Sequence, residues 1–277
     1  MRNYQKGNNA DINAGVVQVL VSTMNQESPT KLVQNMRINK YVIINQITKN
    51  INTPKNNSSN KNRILSLNER GLSRSRNKAI LNSSAEICVI ADDDMDYVDD
   101  YETIVLKGFN KYPEADIIAF YVDSDDERQK KEKLKEGQLN LLMTMKIASW
   151  NIAFRRKSII DSGIVFDENF GTGTENYMGE ENIFLFDCHN KGLKIYYIPL
   201  KIATLRNSQS TWFNGYDKKY FSVKGKVFYR MSPILSLVLI LQFAFRKRYI
   251  YRHSISTWNA IKCMVSGAYI NNVSDRS

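Results

Sequence analysis

Four aspartates follow directly after a short apolar run in the first half of the chain. The run Ile87–Ala91 has the length and β-branched content of a fully buried strand, and it leads into Asp92, Asp93, Asp94 and Asp96. Carboxylates this close repel one another and lose solvation, so their clustering needs a compensating partner. Mg²⁺ and Mn²⁺ take oxygen ligands and are held against phosphorylated ligands in this way. The alternative is a solvated acidic turn after a core strand.

Three metal motifs compete for this cluster. A calcium-binding EF-hand loop does not fit, because Tyr97 stands where its Gly is needed and Thr103 where its Glu is needed. The nucleophile motif of haloacid-dehalogenase-like phosphatases fits Asp94–Val98 as a string, but that nucleophile should follow the strand at once. The Asp-x-Asp motif of nucleotide-sugar glycosyltransferases fits Asp92–Asp94 together with the strand and turn around it.

The elements that would position this cluster begin with a strand, a helix and a strand. Val16–Thr23 and Tyr41–Asn45 are predicted strands, and Pro29–Asn39 between them has helical spacing. This order predicts a parallel sheet, in which ligands bind beyond the carboxyl ends of the strands. The polar residues expected at those ends are Thr23, Asn25, Asn45 and Gln46.

A basic segment precedes the aspartates. Gly71 breaks the chain, Ser73 can cap a helix, and Leu72 and Ile80 share one face of that helix. Cations near a helix amino end suit a bound anion such as a diphosphate, although a solvated basic face would have the same pattern. The cations are Arg70, Arg74, Arg76 and Lys78.

A second acidic cluster lies later in the chain. Phe166–Phe170 reads Phe-Asp-Glu-Asn-Phe, and Gly179 is followed by Glu180 and Glu181 at the start of a predicted helix. A helix amino terminus stabilises carboxylates, so this position is expected to keep a base ionised near neutral pH. The alternative is an ordinary acidic first turn of a helix. Farther on, Gly192–Pro199 is predicted to be an edge strand.

Together these motifs resemble family 2 glycosyltransferases of the GT-A fold, over about Val16–Trp212. The resemblance rests on Gly71–Ala79, which contains Arg76-Asn77, on the strand ending in Asp92-x-Asp94, and on Phe166–Phe170 with Gly179–Glu181. It implies an α/β fold, Rossmann-like, with a mostly parallel central sheet flanked by helices.

The same resemblance implies an inverting transfer of a sugar from a nucleotide-sugar donor, expected to be a UDP-sugar. Mn²⁺ or Mg²⁺ would be held by Asp94 and Asp92, and Glu181, beside Glu180, would be the general base. The acceptor would be a hydroxyl of a glycan or lipid-linked glycan. The residues expected to bind the donor are Thr23, Asn25, Asn45, Arg76, Asp92 and Asp93.

The chain departs from the family pattern at three places. Glu181 stands where the family mostly has Asp, and Asn45-Gln46 stands where many relatives have Asp-Asp for the base. The segment Ile202–Phe213 contains no His, although the family usually has one there to complete the metal shell. Ser210–Trp212 is a candidate contact for the substrate or diphosphate, and acceptor contacts are expected in 121–150 and 204–220.

Composition separates a nearly neutral body from a basic tail. The 277 residues are 43% hydrophobic, enough for a core, and the polar segment Met1–Gly15 has no apolar stretch typical of a secretory signal. Residues 215–277 contain eleven Lys or Arg and two Asp, hence +9 of the net charge of +11. We therefore predict a catalytic domain over 1–214 and a basic helical extension over 215–277. The three cysteines, Cys88, Cys188 and Cys263, suit reduced thiols in the cytosol.

The tail contains an apolar segment, Ile234–Phe245, that is shorter than the roughly 20 residues needed to span a bilayer. Arg246–Arg248 follows it at once. This pattern predicts either an interfacial helix on anionic lipid or a core helix that closes the domain. We expect a peripheral protein on the cytoplasmic face of the cell membrane. A basic nucleic-acid-binding protein is the other reading, but the cations are interleaved with long apolar runs rather than with exposed aromatics.

Overall fold

The computed structural model describes residues 17–58, 62–124, 134–206, 213 and 215–270. Within these residues ten strands form one sheet. They are β1 (Val17–Met24), β2 (Tyr41–Gln46), β3 (Asn57–Ser58), β4 (Asn62–Leu67), β5 (Ile87–Asp92), β6 (Met95–Tyr97), β7 (Ile117–Asp123), β8 (Gly137–Gln138), β9 (Ile152–Arg155) and β10 (Ile195–Leu205).

The helices alternate with the strands in the body and then follow one another in the tail. They are α1 (Pro29–Met36), α2 (Leu72–Asn82), α3 (Tyr101–Lys111), α4 (Leu141–Thr144), α5 (Arg156–Ser162), α6 (Glu180–Asn190), α7 (Lys218–Met231), α8 (Ser236–Arg246), α9 (Arg248–Tyr251) and α10 (Thr257–Val265). A 3₁₀ turn, Ser149–Asn151, precedes β9, and a π-helical turn, Ser266–Ile270, ends the described chain.

The sheet order is β3-β4-β2-β1-β5-β9-β7-β10-β6, with β8 also paired to β10. Strands β4, β2, β1 and β5 are mutually parallel, so their carboxyl ends meet at one edge. The register sets Thr23 opposite Asn45, and Ser22 opposite Asp92. Strand β9 is antiparallel to both β5 and β7. The predicted mostly parallel α/β architecture is confirmed.

The prediction of an edge strand over Gly192–Pro199 is wrong. Strand β10 begins later, at Ile195, continues to Leu205, and lies between β7 and β6. Its far end is covered because the chain turns back after Asp92–Asp94 to add β6 antiparallel to it. That pairing joins residues about a hundred positions apart, so local sequence carries no sign of it.

Both faces of the central strands are buried, as expected for strands that read as continuous apolar runs. Along β1, Val19 and Val21 belong to the core beneath α1 and α3, whereas Leu20 faces the opposite core. That second core contains Ile90 of β5 and Phe184 of α6. The alternation fixes which strand-end side chains project to each side of the sheet.

The C-terminal helices share a third core with the body. Ile183 and Phe186 of α6 pack with Phe221 and Phe228 of α7 and with residues of α8 and α10. Two glycines make the closest contacts of this packing: a Cβ on Gly225 would lie 1.9 Å from the Met264 carbonyl oxygen, and one on Gly267 would lie 2.0 Å from the Ser222 carbonyl oxygen. Only glycine allows backbones to approach this closely.

Candidate active site

The turn after β5 places three carboxylates at the carboxyl edge of the sheet. Strand β5 ends at Asp92 and β6 begins at Met95, so Asp93 and Asp94 form the turn between them. Thr23, at the end of β1, donates a hydrogen bond from Oγ1 to Asp93 Oδ2 at 2.5 Å. Asp94 Oδ1 is buried and has no hydrogen-bond partner within the described residues. The predicted residues Thr23, Asp92, Asp93 and Asp94 thus come together.

The electrostatics of this turn favour a bound cation. Burial raises the pKa of Asp94 to about 6, and the charges of Asp92 and Asp93 add to the shift. Burial also raises the pKa of Asp93, against the hydrogen bond from Thr23. Within the part of the chain that is described, no three Asp, Glu, His or Cys side chains are grouped so that they could hold one ion. Asp92 and Asp94 could therefore supply only one or two carboxylate ligands, which is the number that a Mg²⁺ site shared with phosphate oxygens and water uses.

A single buried arginine joins this turn to the second acidic cluster. Arg76, on α2, is 2% exposed; its Nη1 donates to Glu180 Oε1 at 2.8 Å, and its Nη2 donates to Asp92 Oδ1 at 3.0 Å. Nη2 also donates to Ser149 Oγ at 2.7 Å, and the guanidinium lies 5.5 Å from the ring centre of Phe166. Burial lowers the pKa of Arg76, but the charges of Asp92 and Glu180 outweigh it and raise the pKa. The structure therefore places Arg76 between the two clusters rather than on an open nucleotide surface.

The two predicted asparagines shape loops at the same edge. Asn45 is fully buried: its Nδ2 donates to the carbonyl of Gln26 at 2.8 Å, and its Oδ1 accepts from the Gln26 backbone N–H at 2.9 Å. Asn25 has a left-handed φ of 52°, and its Oδ1 accepts from the backbone N–H groups of Thr48 and Lys49 at 2.8 and 3.2 Å. Asn45 thus has no exposed atom for the predicted donor contact; it holds the loop that follows β1.

Helix α2 also holds the segment that precedes the second cluster. Asn77 donates to the Phe166 carbonyl at 2.9 Å and accepts from the Phe166 N–H at 2.8 Å. Ser73 donates to the Phe170 carbonyl at 2.6 Å. The ring of Phe166 stacks on Phe184 of α6, with centres 4.1 Å apart. The Arg76-Asn77 pair therefore connects all the motifs on which the resemblance rests.

Glu180 and Glu181 begin α6 but have different surroundings. Glu180 is buried and bound to Arg76, whereas Glu181 is half-buried. Burial raises the pKa of Glu181 to about 8, and the charge of Glu180 adds to it; the backbone hydrogen bond at the helix start, Lys224 and Arg76 act in the opposite direction. Desolvation of Glu181 therefore opposes the stabilisation of its carboxylate that the helix terminus is expected to give.

No protein-family model and no curated protein matches the sequence, but solved structures match the fold. Residues 1–349 of S. aureus TarS, in complex with UDP-GlcNAc, match with a TM-score of 0.60 and 12% identity, over 91% of this chain and 81% of that one. The mannosyltransferase PcManGT of Pyrobaculum calidifontis, in complex with GDP-Man and Mn²⁺, matches with a TM-score of 0.52 and 12% identity, over 94% and 88% of the two chains. The fold is shared with these nucleotide-sugar-binding proteins. The predicted fold class is confirmed.

Three polar residues near the site were not predicted from sequence. Ser149 binds Arg76, and Arg206 donates from its backbone N–H to the Asp94 carbonyl at 2.8 Å and from Nη2 to the Met95 carbonyl at 3.1 Å. Lys224 of α7 interacts electrostatically with Glu181; burial lowers the pKa of Lys224, and the Glu181 charge opposes that shift. Each of these residues contacts or interacts with a site residue that is at least 43 positions away in the sequence, so local spacing does not reveal it. The predicted contact Ser210–Trp212 lies outside the described residues.

The start of the segment in which the resembled family usually has a metal-ligating His lies close to the aspartates, although this chain has no His there. Thr204 of β10 pairs with Asp96 of β6. Two residues later, the backbone N–H of Arg206 donates to the carbonyl of Asp94 in the turn. The positive charge of Arg206 lowers the pKa of Asp93 and Asp94, opposite to the effect of burial. On this side of the cluster the chain therefore has the positive charge of Arg206 and no histidine.

Proposed function

We propose that this chain is an inverting glycosyltransferase that moves a sugar from a nucleotide-sugar donor, a UDP-sugar, to a hydroxyl of a glycan or lipid-linked glycan. One observation carries the proposal: buried Arg76 binds both Asp92 at the strand end and Glu180 at the start of α6. The turn that suits a diphosphate-bound metal and the acid pair that suits proton transfer are thereby held as one unit. The shared fold and the ligands of the two matched structures support this reading.

Asp92 and Asp94 would hold Mn²⁺ or Mg²⁺, which supplies charge to offset the departing diphosphate. Asp94 Oδ1, which has no hydrogen-bond partner among the described residues, would be available as a ligand. Thr23 orients Asp93 beside it through the 2.5 Å hydrogen bond. The donor would lie over the ends of β1 and β5, where the two strands present these groups.

Glu181 would remove the proton from the acceptor hydroxyl as that oxygen attacks the anomeric carbon. Attack from the face opposite the departing diphosphate inverts the configuration at that carbon. Glu180, which is bound to Arg76, positions the start of α6 and adds negative charge beside the base. A base with a raised pKa is a stronger proton acceptor, provided that the pH is high enough to ionise it.

The dehalogenase-like alternative loses support from the strand boundary. Strand β5 ends at Asp92, and Asp93 intervenes before Asp94. The residue matching that family's nucleophile therefore does not follow the strand directly, as its chemistry requires. Phosphatase turnover that disappears in Asp94→Asn would revive this alternative.

The test is a panel of UDP- and GDP-sugars screened for protection against thermal unfolding, with and without Mn²⁺, followed by transfer assays with the donors that protect. A ligand that binds only the native state raises the melting temperature by mass action. Asp94→Asn should abolish the Mn²⁺-dependent part of this protection. The matched control is Asp96→Asn, because the Asp96 carboxylate lies on β6 and accepts from Arg37 Nε at 2.8 Å instead. Protection by no nucleotide sugar, under either condition, would overturn the proposed function.

A further inference from the structure

Helix α8 has a continuous apolar stripe on its exposed side. The residues recur at intervals of three and four, so they lie along one face of the helix. Ile234 is 91%, Val238 62% and Phe245 60% exposed, while Leu239 and Ile240 on the other side are buried in the third core. The α8 stripe consists of Leu237, Val238, Leu241 and Phe245 on the helix and of Ile234 in the turn that precedes it, all exposed.

Exposed aromatic and cationic residues follow the α8 stripe in sequence. Tyr249 on α9 and Trp258 at the start of α10 are exposed, Trp258 at 70%. Residues 218–270 contain ten Lys or Arg and no Asp or Glu. The exposed cations that follow the stripe in sequence are Arg246, Arg248, Arg252 and Lys262.

We propose that the α8 stripe is a docking surface for an anionic membrane leaflet. Helices that lie in the plane of an interface bury an apolar face at the acyl boundary while Lys and Arg reach the headgroups, and Trp and Tyr favour the same depth. Helix α8 has eleven residues, or about 16 Å at 1.5 Å per residue. Among the described residues no helix combines the length and apolarity needed to cross a bilayer. The helix lies along the surface.

The charge around the stripe disfavours the other occupants. A symmetric contact made by residues 218–270 of two copies would offer no acidic partner to Arg246 and Arg248, because this segment contains no Asp or Glu. Nucleic acid would leave the aliphatic side chains Ile234, Val238 and Leu241 without an apolar partner, because bases stack on aromatic rings and not on these side chains. An anionic lipid surface satisfies the apolar stripe and the cations at once.

This surface lies close to the acid pair. Phe243 is on the inner side of α8, with its ring centre 5.6 Å from Lys224 Nζ, and Lys224 interacts with Glu181. Helix α8 therefore has lipid on one side and the residues that back Glu181 on the other. Given the proposed function, a lipid-linked acceptor would reach the site from the surface on which the protein rests.

The test is co-sedimentation of the full chain with vesicles of phosphatidylcholine alone, or with added phosphatidylserine or phosphatidylglycerol, over a salt series. Binding should require the anionic lipid and weaken as salt screens it. Changing Arg246, Arg248 and Arg252 to Gln should weaken binding about 100-fold. Each cation near an anionic surface contributes about 1 kcal/mol, and each 1.4 kcal/mol changes the affinity about tenfold. The control changes three exposed lysines of the body, Lys31, Lys107 and Lys191, to Gln and should have little effect.

The apolar part is tested by Val238→Asp with Phe245→Asp, which should reduce binding at least tenfold. Its control is Leu81→Asp with Val165→Asp, which adds the same charge at exposed body positions. Melting temperature and protection by the donor show that each variant is folded. Loss of binding in the stripe variant alone supports the proposal, and equal binding by both variants overturns it.

Two further outcomes would overturn the docking surface. The first is recovery of the intact chain in the supernatant at low salt. The second is a doubled mass in light scattering that returns to that of one chain in the stripe variant, which would mean that a second copy covers the stripe. Donor protection is read separately in every variant. Failed vesicle binding with normal protection rejects only the surface, and lost protection with normal vesicle binding rejects only the proposed function.

Discussion

Replacing Arg76 with Met tests whether one side chain holds the two acidic clusters together. The change removes three hydrogen bonds, to Glu180, Asp92 and Ser149, but keeps an apolar side chain of similar length. Glu180 is then left buried without its counter-charge. Removing one partner of a buried ion pair costs about 3–5 kcal/mol, since the remaining charge is uncompensated. Unfolding entropy of about 2.1 cal/mol/K per residue gives about 0.6 kcal/mol/K for 277 residues, so the melting temperature should fall by about 5–9 °C.

The measurement is thermal unfolding followed by circular dichroism, together with urea titration at constant pH. Arg74→Met is the matched control, because Arg74 lies on the same helix and pairs with Glu168, but both side chains are nearly half exposed. Such surface pairs contribute about 0–1 kcal/mol, so this variant should melt within about 2 °C of the original chain.

A double variant separates the buried charge from the loss of packing. Glu180→Gln in the Arg76→Met background removes the uncompensated carboxylate and should recover part of the lost stability. The reasoning is refuted if Arg76→Met melts no lower than Arg74→Met, or if the double variant is less stable than Arg76→Met alone. Either result would mean that the clusters are held by backbone packing and not by the guanidinium.

The remaining predictions concern the base and the tail. Glu181→Gln should lower transfer by about 10²–10⁴-fold with donor protection intact, and a normal rate would remove Glu181 from the mechanism. Since transfer needs the ionised form and burial raises the pKa of Glu181 to about 8, kcat/KM should increase with pH up to about that value. Lys224→Met removes a charge that lowers this pKa, so the rising limb of the pH profile should move to higher pH; a shift to lower pH would contradict the pairing. Gly225→Ala should destabilise the chain by about 1–3 kcal/mol in urea titration, because its Cβ would lie 1.9 Å from a carbonyl oxygen, and unchanged stability would show that the helices readily separate.

The parts of the fold that local sequence predicts are those whose physical signal is local. Buried parallel strands are continuous apolar runs, so β1 and β5 were recognisable, and glycine before acidic residues marked the start of α6. The grouping of Asp92, Asp93 and Asp94 directly after a buried strand is also a local feature, and the structure places these carboxylates at one turn.

The parts that sequence did not predict depend on contacts between distant residues. Arg76 was expected to bind the nucleotide, but its partner Glu180 is 104 positions away, and no spacing rule connects the two. Asn45 stands at the expected strand end, but its side chain is used by the Gln26 backbone, which only the loop geometry reveals. The pKa of Glu181 depends on its burial and on the charge of Lys224, which is 43 positions away.

The glycine contacts of α7 determine how the proposed surface and the chemistry are related in space. Gly225 directly follows Lys224, and its α-carbon meets the Met264 carbonyl without an intervening side chain. Helix α7 therefore packs with its backbone against α10, and it also contacts α6, which begins with Glu180 and Glu181, and α8, which carries most of the stripe. A protein resting on lipid through that stripe would hold its base at one fixed height above the headgroups. An acceptor anchored in the same leaflet would then be selected by the length of the segment between its lipid and its reactive hydroxyl, independently of the sugar that bears it.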